Sequence, residues 1–303
     1  MSSIYHIGEQ KVQMRAGSCD VAQTMNRTIY PVIAHIFVEF IHSQPMVFIG
    51  SVDHDGLVWA SLLGGQPGFM SVMDERTLKI LALPHASDPL LQNLQDGCQV
   101  GLLIIDFLKC RRLRLNGSAR MGEGCFSVQP DQVYSNCPKY IQTREYDDAP
   151  EEGHRSPQVV RQAHELHDEL VQKIGRADTF FLASYHPEGG ADVSHRGGFP
   201  GFLRAVDQQT LIWPDYAGNG MFNSLGNIVE NHSAGLLLID FENGGTIQLS
   251  GVARVLWEDE RIADFPGAER LVEFRLHKLI ETDDATTLRW KFIDYSPDIP
   301  WFF

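Results

Sequence analysis

The chain has 303 residues, of which 43% are hydrophobic and 21% are charged, which excludes a fibrous or disordered protein and predicts about two domains. Its 25 Lys and Arg residues against 39 Asp and Glu residues give a formal net charge of −14, which disfavours a general binder of nucleic-acid phosphates. The first residues show no targeting pattern and no apolar run reaches the roughly 18 residues that span a bilayer, so we expect a cytoplasmic protein that contacts neither nucleic acid nor membrane.

The first half of the chain is expected to hold a helical segment followed by a small barrel. Residues 1–45 form the helical segment, in which one helix is predicted over residues 20–43 with Pro31 near its first full turn. Residues 46–126 form the barrel, which begins with the hairpin MVFIGSV, DHDG, LVWASLL. A short helix in PLLQNLQDG then leads to the strands VGLLIID and RLRLNGSARM.

The second half is expected to hold a linker and a second barrel. Residues 127–178 form the linker, which contains the compact string NCPKYIQ and a predicted helix over residues 157–175. Residues 179–303 form the second barrel, with the hairpin TFFLASY, HPEGG, ADVSH, a helix in MFNSLGNIVEN and a C-terminal extension.

Two stretches, residues 46–121 and 179–255, repeat each other. At a spacing of 133 residues the first stretch shares with the second the residues Ser61, Gly65, Pro67, Gly68, Phe69, Asp74, Thr77 and Leu78. After a slip of one residue, the shared set at a spacing of 134 is Asn93, Gly101, Leu102, Leu103, Ile105, Asp106, Phe107, Leu115, Gly117, Ala119 and Arg120. We therefore interpret the chain as a duplicated domain, equivalent to a homodimer fused into one polypeptide.

The two copies differ at positions that suggest a binding site. Arg196 of the second copy has an apolar counterpart in the first, and a guanidinium beside glycines suits an oxyanion. The polar string DYAGN, residues 215–219, falls opposite an apolar and His-containing stretch near residues 81–85. On a later strand the positive charge is in the first copy instead, because Arg112 and Arg114 occupy the positions of Thr246 and Gln248 in the second copy. These pairs predict one composite pocket with a cationic end and a polar end, or alternatively a solvated edge strand that discourages aggregation.

The cysteines and histidines do not predict a metal site. The five cysteines are odd in number, far apart and without a CxxC pair. The string HELH places His164 and His167 three residues apart, whereas the helical zinc motif needs histidines four apart. We expect the polar face of a helix there and no bound metal.

Several strings resemble a known family. DVSHRGGFPGF, DYAGNGMFNSLGNIVEN and GLLLIDF resemble flavin-nucleotide-binding proteins related to pyridoxamine 5'-phosphate oxidase, and RRLRLNG and NCPKYIQ are similar to the first half of its tandem members. The resemblance implies a mainly β (α+β) fold of two tandem FMN-binding split β-barrels, which form an intrachain pseudo-dimer with flanking helices. It also implies that FMN lies in the cleft between the barrels.

The resemblance assigns cofactor-binding residues in four groups. The phosphate and ribityl cradle would be Ser194, Arg196 and Gly197. The loop and helix start around the flavin would be Asp215, Gly218, Asn219 and Asn227. The strand positions that meet the flavin would be Arg112 and Arg114 in the first barrel and Thr246 and Gln248 in the second. The residues that reach across the cleft would be Asn136, Lys139 and Tyr140.

Two functions follow from the resemblance. One is an FMN-dependent oxidoreductase that takes electrons from a small reductant such as NAD(P)H, with no catalytic residue assigned and either a monomeric pseudo-dimer or a homodimer as the assembly. The other is a non-catalytic flavin-binding or electron-relay module that acts with a partner reductase. Pyridoxamine 5'-phosphate oxidase activity itself is disfavoured, because the chain ends in WKFIDYSPDIPWFF rather than in a strand with the substrate-binding Arg and His.

Overall fold

A computed structural model describes residues 4–147 and 156–301, and it consists mainly of antiparallel β-sheet. The described α-helices are α1 Ile7–Ala16, α2 Cys19–Met25, α3 Val38–Ser43, α4 Pro89–Asn93, α5 Asp168–Arg176 and α6 Asn223–Glu230. The strands of the first half are β1 Met46–Val52, β2 Val58–Gly64, β3 Met70–Asp74, β4 Thr77–Ile80, β5 Gln99–Asp106, β6 Arg111–Gly122, β7 Cys125–Asn136 and β8 Thr143–Asp147. The strands of the second half are β9 Gln158–Ala163, β10 Thr179–His186, β11 Gly190–Gly197, β12 Arg204–Ala205, β13 Thr210–Tyr216, β14 Ser233–Ile239, β15 Thr246–Leu256, β16 Ala268–Asp283 and β17 Arg289–Asp294.

The two halves have the same sheet topology. The first sheet has the order β2-β1-β5-β6-β7-β4-β3, and the second has the order β11-β10-β14-β15-β16-β13-β12. Each strand of the first sheet therefore has a counterpart at the same place in the second, and even the register agrees, since Ile49 pairs with Ser61 as Leu182 pairs with Ser194. The chain folds as two tandem split barrels, as the repeat predicts.

A β-bulge occurs at the same place in both barrels. The register shifts between Asn116 and Gly117 in β6, and between Ser250 and Gly251 in β15. A Cβ atom on either glycine would lie 2.0 Å from a carbonyl oxygen of the neighbouring strand, so only glycine fits there. The bulge explains why these glycines recur in the repeat.

The barrels pack against each other around a pseudo-twofold axis. The rings of Phe48 and Phe181, which are equivalent residues of the two copies, stack with their centroids 3.5 Å apart. A Cβ on Gly101 would lie 2.6 Å from the Cα of Asp192, and one on the equivalent Gly235 would lie 2.9 Å from the Cα of Trp59. Each barrel thus presents the same surface to the other, as in an isologous dimer.

The N-terminal segment differs from the single helix predicted over residues 20–43. The backbone of Tyr30 pairs with Val133 of β7, and Pro31 follows it, so the segment breaks between α2 and α3. The helix α1 is not predicted, because its buried residues include Gly8 and Glu9 and do not form an apolar stripe.

Two further segments differ from their expected structures. Strand β7 continues the first sheet to Asn136, so residues 127–136 of the predicted linker are part of that sheet. The helix predicted over residues 157–175 is split, since β9 pairs with β16 and only α5 is helical. Residues 1–3, 148–155 and 302–303 of the predicted segments lie outside the described residues. None of the helices in the described part of the chain is long and apolar enough to cross a membrane.

Candidate functional site

A cleft at the junction of the two barrels brings most of the predicted site residues together. Strand β6 of the first barrel, strands β11 and β13 of the second, the start of α6 and the segment after β7 form its walls. The predicted residues that line it are Arg112, Arg114, Asn136, Lys139, Tyr140, Ser194, Arg196, Gly197, Asp215, Gly218 and Asn219.

Three predicted residues lie elsewhere. Asn227 lies on the far side of α6, where its side chain bonds to His6 and to Ser184. Thr246 and Gln248 line a different, smaller cavity. The pseudo-twofold axis places the equivalent strands β6 and β15 at opposite clefts, so the predicted composite pocket of these four strand positions is not formed.

The cleft contains three guanidinium groups, and among the described residues two carboxylates at the cleft pair with them. Arg114 pairs with Asp192 at 2.9 Å, and Arg196 pairs with Asp215 at 2.7 Å. Arg112 has no carboxylate within ion-pair distance among the described residues. Burial and then the nearby Arg114 lower the pKa of Arg112 to about 10, which reflects an uncompensated positive charge.

His195 adds a buried, neutral imidazole to this group. Burial, followed by the positive charges of Arg112 and other arginines, holds the pKa of His195 well below its ordinary value. Its Nδ1 lies 3.5 Å from a guanidinium nitrogen of Arg112, which can only donate, so this contact assigns the remaining proton to Nε2.

Several donors in the cleft have no acceptor among the described residues. They are the Nε2 atom of His195 and the Nε atoms of Arg112, Arg114 and Arg196. Buried polar groups in folded proteins are nearly always hydrogen-bonded, so this concentration of unsatisfied donors indicates a place for an anionic or carbonyl-bearing ligand.

The start of α6 adds backbone donors to the same wall. Its N-cap residue, Phe222, has φ of 60° and provides no side-chain cap. The side chains of Ser194 and Ser224 share a hydrogen bond of 3.0 Å, and Ser224 Oγ donates to Asp192 at 2.9 Å. An uncapped helix start with a hydroxyl beside it favours an anion.

The string NCPKYIQ crosses the cleft mouth. The Tyr140 hydroxyl donates to the Ala217 carbonyl at 2.8 Å, and the Tyr140 ring lies 5.3 Å from the ring of Tyr216. Tyr140 has φ of 67°, and its N–H donates to Ser296 Oγ at 3.0 Å. The linker segment thereby joins the DYAGN loop, and the aromatic side chains of Tyr140, Tyr216 and Phe222 line the cleft.

The opposite cleft contains a carboxyl group of its own, Asp88, whose pKa is raised by burial. The Asp88 carboxylate accepts bonds from Ser61 Oγ at 2.6 Å, from Leu90 N at 2.9 Å and from Gln248 Nε2 at 3.3 Å. By the repeat, Ser61 corresponds to Ser194, Asp88 to Phe222 and Gln248 to Arg114. The first barrel therefore caps its helix α4 with a side chain, whereas the second leaves the equivalent position open.

The two clefts also differ in size. The cavity volume is about 120 Å³ at the cleft beside α6 and about 30 Å³ at the one beside α4. The larger one is called the arginine cleft below, after Arg112, Arg114 and Arg196.

Residues 166–288, which include most of the second barrel, match the family model described as pyridoxamine 5'-phosphate oxidase. The resemblance predicted from the second-copy strings is thereby confirmed. No curated protein matches the chain.

Solved structures of low identity are also similar to this chain. HupZ of Group A Streptococcus is 12% identical to this chain. The match covers 38% of this chain and 92% of HupZ, with a TM-score of 0.32. An FMN-binding protein from Syntrophomonas wolfei is 14% identical to this chain. The match covers 38% of this chain and 87% of the Syntrophomonas protein, with a TM-score of 0.28. A FAD-binding protein from Mycobacterium smegmatis is 11% identical to this chain. The match covers 40% of this chain and 98% of the Mycobacterium protein, with a TM-score of 0.28.

The family motifs do not reveal every residue of the arginine cleft. Asp192, which pairs with Arg114, stands at the start of the quoted string DVSHRGGFPGF, yet only the fold shows that its partner comes from the other barrel. Ser224 and Phe222 lie in the string MFNSLGNIVEN, which contains α6, and nothing in that string distinguishes their side chains from those of other helix residues. A signal for Phe222 does exist in the sequence, because the repeat aligns it with the capping residue Asp88.

A pair of glycine substitutions tests the contact between the linker string and the cleft. A Cβ on Gly197 would lie 2.0 Å from the Tyr140 carbonyl oxygen, whereas one on Gly218 would lie 3.9 Å from its nearest neighbour. We expect Gly197→Ala to lower the free energy of unfolding by about 1–3 kcal/mol and to displace the Tyr140 segment. Thermal denaturation and the near-ultraviolet circular dichroism of the tyrosines measure both effects.

Gly218→Ala is the matched control, since both glycines line the same cleft. We expect it to leave the denaturation midpoint and the spectrum close to those of the wild type. Equal effects of the two substitutions would contradict the contact.

Proposed function

We propose that the chain is an FMN-binding flavoprotein whose single flavin lies in the arginine cleft. The observation that carries the proposal is the group of buried, unsatisfied donors on Arg112, Arg114, His195 and Arg196, which lie beside an uncapped helix start. These groups fit a phosphate, and the aromatic side chains at the cleft mouth fit a flat ring system. The family of the second barrel supports a flavin ligand as well.

Each wall of the cleft has a role in this proposal. Ser194, Arg196 and the first backbone N–H groups of α6 hold the phosphate, with Arg112 supplying the charge that has no protein partner. Tyr140 and Tyr216 cover the ring system and exclude water from it. The neutral His195 presents an N–H to an acceptor atom of the ligand. One phosphate and one helix start favour FMN over FAD, whose second phosphate would need a further set of donors.

We further propose that the protein is a cytoplasmic oxidoreductase. Bound FMN would supply the transfer of hydride or electrons, while the chain binds, orients and shields it. The reductant would be a small molecule such as NAD(P)H or a partner reductase. An electron-relay module without its own substrate is the second candidate, because the described cleft residues form no nucleophile–base pair that would act on a substrate independently of a flavin.

Titration with flavins tests the proposal directly. We expect one FMN per chain, because Asp88 occupies the equivalent position in the other cleft. Riboflavin, which lacks the phosphate, should bind at least tenfold more weakly, a difference of about 1.4 kcal/mol. Fluorescence quenching of the flavin gives both the stoichiometry and the affinities.

Two equivalent sites per chain, or equal affinities for FMN and riboflavin, would contradict the proposed phosphate site. Equal affinities for FMN and FAD would contradict the choice of cofactor. Steady oxidation of NAD(P)H by the FMN-loaded protein favours the oxidoreductase, and bound FMN without turnover favours the relay module.

A further inference from the structure

Arg270 of β16 lies behind the wall of the arginine cleft. Strand β16 pairs with β13, and Arg270 is the register partner of Asp215, one of the residues that line the cleft. The side chains of Arg270 and Asp215 are each only 5% exposed. The pairing of the two strands therefore places a second buried guanidinium beside the carboxylate that pairs with Arg196.

The Asp215 carboxylate lies between these two guanidinium groups. Its Oδ1 accepts a hydrogen bond from Arg196 Nη1 at 2.7 Å, and its Oδ2 lies 3.4 Å from Arg270 Nη1. Asp215 Oδ2, Arg270 Nη1 and Arg270 Nε have no hydrogen-bond partner among the described residues. A directed bond thus orients Arg196, whereas Arg270 acts on Asp215 through its charge.

Aromatic rings hold the Arg270 guanidinium in place. Its Cζ atom lies 4.9 Å from the ring centre of Phe222, the N-cap residue of α6, and 4.7 Å from that of Trp257. Arg270 also pairs with Glu269, but the Glu269 side chain is 45% exposed, and water screens such a charge. The buried carboxylate that Arg270 faces is that of Asp215.

The charge of Arg270 bears on whether Arg196 can attract an anion. Arg196 and Asp215 alone would form a pair without net charge, and the carboxylate would repel a phosphate that approaches the same guanidinium. Such repulsion is screened little where the groups are buried. With Arg270 included, the three side chains keep one positive charge while Asp215 still orients Arg196.

We propose that Arg270 is a positioning residue that compensates the charge of Asp215, so that Asp215 orients Arg196 for a phosphate without cancelling its attraction. The inference rests on the proposed function, since the phosphate is that of the flavin. Arg270 acts through Asp215 and does not line the cleft. Its effect is therefore confined to ligands that carry a negative charge at Arg196.

FMN and riboflavin, which differ only in the phosphate, separate this role from a structural one. We expect Arg270→Met to weaken FMN binding about tenfold and to change riboflavin binding by less than twofold. Adding Asp215→Asn to this variant should restore the FMN affinity to within threefold of the wild type. Asparagine keeps an oxygen that accepts from Arg196 but has no charge. Fluorescence quenching of the flavin gives all the affinities.

Arg275→Met is the matched control, because it removes the same charge from the same strand. Arg275 is exposed and is the register partner of Thr210, at the end of β13 away from Asp215. The FMN affinity of this variant should stay within twofold of the wild type. Equal losses in Arg270→Met and Arg275→Met would reveal a general effect of net charge and would overturn the proposal.

Arg270→Lys keeps the charge without the planar group, and it serves as the test if Arg270→Met does not fold. We expect it to bind FMN within threefold of the wild type, and a tenfold loss would overturn the proposal.

Three results with Arg270→Met would also overturn the proposal. They are unchanged FMN affinity, equal losses for FMN and riboflavin, and no recovery on adding Asp215→Asn. Absence of any FMN binding by the wild type would instead contradict the proposed function.

Discussion

Arg112→Met should weaken FMN binding by about tenfold to a hundredfold while leaving the ligand-free protein at least as stable as the wild type. The loss of affinity follows from removing a charge-assisted contact to phosphate, which is worth about 1.5–3 kcal/mol. The stability follows because Arg112 lies in a cationic group without a carboxylate partner, and removal of such a charge is neutral or favourable. Flavin titration and chemical denaturation of the apoprotein measure the two effects.

Arg111→Met is the control on the same strand. Arg111 is exposed, and its guanidinium lies 5.2 Å from the ring of Phe40, away from the cleft. We expect its FMN affinity to stay within twofold of the wild type. An Arg112 variant that loses stability and keeps its affinity would show that the guanidinium supports the fold and not the ligand.

Gly101→Ala and Gly235→Ala should each lower the free energy of unfolding by about 3 kcal/mol. Each new methyl group would meet the backbone of the opposite barrel, at 2.6 Å from Asp192 Cα for Gly101 and at 2.5 Å from the Val58 carbonyl oxygen for Gly235. Backbone cannot rotate away as a side chain can, so the barrels must separate, at a cost near the upper end of ordinary overpacking. The weaker contact between barrels should also lower FMN affinity, since the cleft has walls from both.

Gly175→Ala provides a control of opposite sign. Gly175 lies in α5 with no atom within 4 Å of its added Cβ, so alanine should raise the free energy of unfolding by about 0.5–1 kcal/mol. Denaturation curves of all three variants would show this. If Gly101→Ala and Gly235→Ala were as stable as the wild type, the close packing of the two barrels would be wrong.

The repeat made the topology of the two barrels predictable, because equal spacing in the sequence requires equivalent strands. Gly117 and Gly251 recur for a local reason, which is the bulge. Arg196 is identified by comparison of the copies, because its counterpart in the first copy is apolar. Local patterns of this kind can be recognised in the sequence without knowledge of the fold. The string NCPKYIQ could likewise be singled out by its composition.

The features that were not predictable depend on distant partners. Helix α1 buries Gly8 and Glu9 against α6. The sequence of α1 has no periodic spacing of apolar residues that would predict such a contact. The prediction that Arg112 and Thr246 line one pocket was wrong. Period-two alternation shows which residues share a face of a strand, but it does not show which cleft that face borders. Only the pseudo-twofold axis decides that.

The difference between Asp88 and Phe222 has a genetic consequence. In a homodimer encoded by one gene, every substitution appears in both clefts at once, so an aspartate that closes one cleft would close the other as well. Once two barrels share a chain, each codon changes a single cleft. One copy was then free to fill its pocket with its own carboxylate, while the other kept its helix start open.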